Sequence, residues 1–213
     1  MKTEDWIVML SSGPDIRVAA RPFSAIVFPS LAGLIVCVLL TLALLGVRPD
    51  FVQALATQAF WLKVVFSATL AWTGWLAAKR LAVPGARTSI LPVLLAVPVL
   101  VLWVVAGTVL WQASPEVRMT LFWGSTWRNC PLLITLLALP LLVSALRMLR
   151  DLAPTRLRLA GAVAGFAAGA SAAMVYCLHC PEMSPVFVGF WYVIGMLIPS
   201  AIGAVVGPRA LDW

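Results

Sequence analysis

The chain has 213 residues, 62% of them hydrophobic and only 11% charged, with 15 Lys and Arg against 8 Asp and Glu. Soluble globular domains carry about 25% charged residues, so this composition excludes an ordinary soluble enzyme or binding module and indicates an integral membrane protein. The net charge of +7 would suit nucleic acid if the cations formed one polar surface, but they are scattered at the edges of apolar runs.

Residues 1–24 form a polar amino-terminal arm ahead of a transmembrane domain over residues 25–213. Within the arm, Thr3 is placed to cap a short helix. Glu4 and Asp5 suit its positive end, and Trp6, Ile7, Met9 and Leu10 give it an apolar face. Ser11, Ser12, Gly13 and Pro14 then stop it. So short an amphipathic helix is not stable alone in water, so it either lies on the membrane or docks in a partner's groove.

Six apolar stretches follow, near Ile26–Gly46, Ala59–Ala78, Ser89–Trp111, Pro131–Leu146, Leu157–Tyr176 and Val186–Val206. Each approaches the roughly 20 residues that a helix needs to cross a hydrocarbon core about 30 Å thick. A strand barrel would need alternating segments of about ten residues, whereas these runs are continuous and rich in Leu, Ala and Val. The predicted fold is therefore all-α: six transmembrane helices in one bundle. The first span starts too late and follows too many acids to be a cleaved leader.

The basic residues orient the bundle. Lys2, Arg17, Arg21, Lys79, Arg80, Arg87, Arg147, Arg150, Arg156, Arg158 and Arg209 fall on one side, and only Arg48, Arg118 and Arg128 on the other, a bias of eleven to three. Cationic loops stay in the cytoplasm, so both termini are expected there. Lys63, one turn inside the second span, is expected to snorkel outward. Trp61, Trp111, Trp123 and Trp127 fall at outer span ends, where an interfacial belt belongs. Gly161, Gly165 and Gly169 recur every fourth residue in the fifth span, leaving one helix face open to close packing. Pro29, Pro92, Pro98, Pro140 and Pro199 are candidate kinks.

Two cysteines lie at the mouths of different spans on the outer side. Cys130 follows Arg128 and Asn129, with Asn129 as the expected N-cap and Pro131 in the first turn of the fourth span. A helix N-terminus and an adjacent arginine both favour a thiolate, so reactivity is expected at Cys130. Cys180 lies in the loop Cys177-Leu178-His179-Cys180-Pro181-Glu182 between the fifth and sixth spans. In a bacterium both thiols would face an oxidising compartment. Four readings fit them: a structural disulfide, a sensing pair, a soft-metal site recruiting Cys130, Cys177, His179 and Cys180, and a catalytic Cys177-x-x-Cys180 dithiol. Cys37, deep in the first span, is expected to be a small buried hydrophobe.

The opening Met1-Lys2-Thr3-Glu4-Asp5, the run Gly124-Ser125-Thr126-Trp127-Arg128-Asn129-Cys130-Pro131, the loop Leu178-His179-Cys180-Pro181-Glu182, and Trp191-Tyr192 with Gly195-Met196 carry a resemblance over nearly the whole chain. The sequence resembles the NrsF family, six-span bacterial membrane proteins that negatively regulate the extracytoplasmic-function sigma factor sigma F. The resemblance implies an inner-membrane anti-sigma factor that holds its sigma factor away from RNA polymerase until oxidative or heavy-metal stress is sensed, with Cys130 and Cys180 as the sensing pair. Cys177 is an extra thiol beyond that pattern.

On this reading the chain is not an enzyme. Its expected partners are an extracytoplasmic-function sigma factor and the lipid bilayer, with no direct nucleic-acid contact and no small-molecule substrate. No cofactor is expected beyond a transient soft-metal ion. Glu4, Asp5, Trp6, Ile7, Met9 and Leu10 are the candidate docking face for the sigma factor. The alternatives are a membrane thiol oxidoreductase built on Cys177 and Cys180, and a small transporter. The latter is disfavoured because no acidic residue lies in a span core.

Overall fold

A backbone in hydrocarbon finds no hydrogen-bond partner but itself, and a helix supplies one to nearly every N–H and C=O. The computed structural model describes residues 3–11, 23–82, 90–152 and 154–212, with the backbone alone at 10–11 and 23–29, and the regular structure among them is helical throughout. The arm contains α1 (Thr3–Ser11), and α2 (Phe23–Leu40) continues into a π-helical turn, Thr41–Leu45. There follow α3 (Phe51–Leu55), α4 (Gln58–Ala82), α5 (Leu91–Gln112), α6 (Pro115–Trp123), α7 (Cys130–Arg150), α8 (Leu157–Tyr176) and α9 (Pro185–Ala210). A second π-helical turn, Val188–Tyr192, interrupts α9.

Five of these helices, α4, α5, α7, α8 and α9, are long and apolar enough to cross a membrane. The first expected span is helical too, but its described apolar portion, Ser30–Leu45, is shorter than the other five. The short helices α3 and α6 lie in the connections between expected spans. In α1, Thr3 is the first helical residue rather than a cap, and residues Trp6, Ile7, Val8 and Met9 are all exposed. Ser12, Gly13 and Pro14, the expected stop, lie outside the described residues, as do Lys2, Arg17, Arg21, Arg87 and the Leu10 side chain.

Helix α8 is the most buried of the spanning helices, and α4, α7 and α9 pack around it. Its closest neighbour is α9, and the reason is the glycine row. A Cβ at Gly161 would fall on the Gly203 carbonyl, one at Gly165 on the Pro199 carbonyl, and one at Gly169 would lie 2.9 Å from the Met196 Cα. Backbone therefore meets backbone. On another face, Gly74 of α4 admits Ala167, and a Trp75 Nε1–H bond to Ser171 Oγ (3.0 Å) ties the same two helices. The Ser200 hydroxyl of α9 donates to Ala162 O of α8 at 2.9 Å.

Helix α5 lies at the periphery, held mainly by α4 and the start of α9, and the Trp103 indole donates to Gly189 O in the π-helical turn. At their carboxyl ends, α4, α7 and α9 carry Lys79 and Arg80, Arg147 and Arg150, and Arg209, where cations complement the helix dipole.

Candidate functional site

Where α8 ends, the chain turns back through a short loop before α9. The Cys177 N–H still bonds Ala173 O, the Leu178 N–H bonds Val175 O, and the His179 and Cys180 N–H groups both reach Tyr176 O at 3.0 Å. These tightened turns hold residues 177–180 against the helix end. A second segment, residues 46–50, pins the loop from outside. Gly46, at φ +72 after the π-helical turn, offers its carbonyl to His179 Nδ1 (3.2 Å), and the Arg48 N–H bonds Leu178 O at 3.1 Å.

The loop before α7 supplies the other thiol. Asn129 and Cys130 both donate their N–H to Thr126 O, so the turn winds directly into α7 with Pro131 in its first turn. Asn129 does not cap in the expected way: its own backbone is already helical and its side chain makes no cap bond. Arg128 lies on the Trp127 ring, 5.1 Å from its centroid.

Cys130 and Cys180 are fully buried free thiols whose sulfurs lie side by side, where the Cys130 S–H can donate to the Cys180 sulfur. Two loops, 50 positions apart in sequence, thus bring their sulfurs into contact. Cys180 is the more acidic partner. The hydrogen bond from Cys130 lowers it most, burial opposes that, and the Lys63 ammonium adds to the lowering. Arg128, beside Cys130 in sequence, lies on the Trp127 ring, and the cation that acts on Cys180 is Lys63.

Cys177 is placed differently. Its thiol donates to Ala173 O of its own helix at 3.3 Å, and burial pushes it up to about 11. The sulfur beside Cys180 is that of Cys130 rather than Cys177, although Cys177 lies close enough to feel the charge of Cys180. Among the described residues, no group of three or more His, Cys, Asp or Glu side chains is arranged to hold a metal ion. His179 instead faces Gly46 and the Tyr176 ring, 5.7 Å centroid to centroid.

Lys63 overturns a second expectation. It does not snorkel: it is 1% exposed, and its Nζ donates to Cys180 O at 2.9 Å and Glu182 O at 3.0 Å, beneath the Tyr192 ring. Arg48 joins it on Cys180 O at 3.3 Å, while a two-pronged ion pair to Asp50 holds that carboxyl below its usual range. Beside the sulfurs lie the Tyr192 and Ser67 hydroxyls, both buried and without a formed hydrogen bond.

Glu182 fastens the two thiol loops together. Its carboxylate accepts the Ser125 N–H and the Ser125 O–H, both at 2.7 Å, five residues before Cys130. Around this clasp Trp123, Trp127 and Trp191 pack edge-on or tilted, with centroids 4.6 to 5.6 Å apart, and the Trp191 indole donates to Phe122 O. Trp123 and Trp127 are therefore parts of an aromatic cluster joining α6 to α9, whereas Trp61 and Trp111 are largely exposed, as belt residues are.

The sequence model of the family described as NrsF, negative regulator of sigma F, matches residues 15–213. The chain belongs to the NrsF family. The probable anti-sigma-F factor NrsF of Azospira oryzae is 48% identical over the full length of both chains, and the anti-sigma-F factor NrsF of Caulobacter vibrioides 35%. No solved structure matches the chain. NrsF membership describes a regulator rather than a catalyst, and the family match includes every residue of the thiol site while leaving out α1.

Sequence reasoning missed Lys63, Arg48, Tyr192 and Glu182. For Lys63 a signal existed: an ionisable residue inside a span is rare enough to mark a functional site by default.

Proposed function

We propose that this chain is an anti-sigma factor of the bacterial inner membrane, with six spans and both termini in the cytoplasm, which sequesters an extracytoplasmic-function sigma factor and releases it when oxidation joins Cys130 to Cys180. Family membership and the full-length likeness to two anti-sigma-F factors support the sigma-factor partner. The observation that carries the sensing role is the contact between two buried free thiols from separate loops. The bias of eleven cations to three supports an outward-facing pair and an inward-facing arm.

A disulfide holds its sulfurs about 2.05 Å apart, well inside the separation of two thiols in contact. Closing it draws the start of α7 toward the α8–α9 loop, and α7 packs on both α8 and α9. Each tenfold release of partner requires about 1.4 kcal/mol of difference between the two states. A disulfide typically contributes about 2–4 kcal/mol, which is the right scale. Trp6, Ile7 and Met9, exposed on α1, with Leu10 beside them, form the apolar docking face, and Glu4 and Asp5 offer it acidic contacts.

The test is co-purification from membranes. The full chain retains its sigma factor and a chain lacking residues 1–14 loses it; retention by neither overturns the anti-sigma reading, and equal retention by both removes α1 from the interface.

A further inference from the structure

We propose that Lys63 is the charge partner of Cys180: a positioning residue that holds this sulfur as a buried thiolate and so makes Cys180 the atom that attacks an oxidant and Cys130 the one that resolves it. The proposal rests on the reading of Cys130 and Cys180 as a reactive pair and adds to it an order of events and a third residue.

A buried ammonium needs a counter-charge. The carbonyls of Cys180 and Glu182 take two of the three N–H bonds of Lys63 but carry only partial charge. Among the described residues, every other charged or titratable group facing the site is engaged or unsuitable. From the 46–50 segment, Arg48 is cationic and already paired with Asp50. In the loop, the Glu182 carboxylate is turned to Ser125. Helix α8 presents Tyr176 and Cys177, the latter protonated at neutral pH because burial raises it. Helix α9 presents Tyr192, whose ring lies over the ammonium, 5.8 Å from centroid to Nζ. Helix α7 presents Cys130, which is the hydrogen-bond donor.

The sulfur of Cys180 is what remains. It accepts from Cys130 and lies in the field of Lys63. A thiolate there also gives the Tyr192 hydroxyl, buried and without a formed bond, a strong acceptor beside it.

With a small hydroperoxide as oxidant, the Cys180 thiolate attacks one peroxide oxygen and the O–O bond breaks. The departing alkoxide takes a proton from solvent, leaving Cys180 as the sulfenic acid. Cys130 then attacks that sulfur, the S–O bond breaks, and hydroxide leaves as water with the Cys130 proton. Two electrons pass from the sulfur pair to the peroxide. Cys180 loses its charge when the sulfenic acid forms and stays neutral in the disulfide, so Lys63 is without its counter-charge in the oxidised state, on a helix that packs against α8.

The experiment treats the full chain in membranes with hydrogen peroxide across pH and reads Cys130–Cys180 disulfide formation by mass spectrometry of the bridged peptides. The wild-type rate is expected to reach its midpoint below about 8.5, the value of a free thiol. Lys63→Gln moves the midpoint upward and slows the reaction at pH 7 by about tenfold, the effect of a one-unit change in thiolate fraction. Lys63→Arg restores the profile, which a purely structural role would not require. An unchanged profile in Lys63→Gln overturns the proposal. Should Lys63→Gln fail to accumulate, the wild type alone decides: a midpoint at or above 8.5, or no bridged peptide, overturns it. Failure of the sensor reading is distinguished by transcription, since Cys130→Ser and Cys180→Ser cells with a normal stress response would remove the thiols from signalling while leaving this chemistry intact.

Discussion

Replacing Glu182 with alanine removes the clasp between the two thiol-bearing loops without touching either sulfur. The carboxylate makes two short charge-assisted hydrogen bonds to Ser125, both 2.7 Å, at a site open to water on the Ser125 side. Bonds of this kind contribute about 1.5–3 kcal/mol each when shielded, and solvent screening reduces the pair here to about 1–2 kcal/mol in total. The main-chain bonds from Thr126 to Cys130 remain, so α7 still starts at Cys130. What weakens is the hold of that start on the Cys180 loop, and about 1–2 kcal/mol corresponds to a roughly 5- to 30-fold drop in the population with both sulfurs in register. Equilibration of the full chain with glutathione redox buffers reads this directly. Glu182→Ala is expected to shift the Cys130–Cys180 disulfide equilibrium toward the dithiol by that factor. An independent route to the same loss is Gly124→Ala: the residue has φ +55, and a Cβ there would lie 2.8 Å from the Glu182 carboxylate. If both variants keep the wild-type equilibrium, Glu182 does not position the pair.

Gly165→Ala in α8 should destabilise the fold by about 1–3 kcal/mol, because the new methyl meets the Pro199 backbone, whereas Gly107→Ala, with open space around its Cβ, should be nearly neutral; thermal unfolding in detergent compares them. Cys177 is raised to about 11 by burial from a starting value of 9.0, so its contribution to stability is present below pH 9 and lost as pH rises toward 11. The melting temperature should therefore fall more steeply over that window in the wild type than in Cys177→Ala. Arg48→Gln removes the ion pair to Asp50 and a donor to Cys180 O, and should raise the exchange rate of the Cys180 loop amides several-fold by hydrogen exchange, while slow amides in the middle of α8 are unaffected.

The spans were legible because length and apolarity suffice to define them: five expected spans fall on α4, α5, α7, α8 and α9, usually with ends a few residues longer. The helices α3 and α6 were not, since short exposed segments carry little periodicity. The glycine row was legible as a smooth face, but its partner was not: that α9 brings Gly203 and Gly207 to the same crossing depends on tertiary register. In the site, the sulfurs were identifiable from their positions at span ends, yet the groups that surround them were not. Helix position and Arg128 favoured Cys130, while the decisive neighbours of Cys180 are Cys130 itself and a lysine from another helix. Lys63 misled for a related reason. Its place one turn inside a span permits either snorkelling or an inward turn, and only the loop carbonyls that α8 and α9 deliver to it decide between the two.

On the proposed function, bonding at the sulfurs controls grip on a partner at the other end of the bundle. Its most direct measurement is sigma-factor retention by the full chain in membranes, scored before and after the Cys130–Cys180 disulfide is formed and again after reduction. Strong retention is expected in the dithiol state, at least about tenfold less in the disulfide state, with recovery on reduction and no oxidant response in Cys130→Ser. Equal retention in the two states, with the disulfide demonstrably formed, would contradict it.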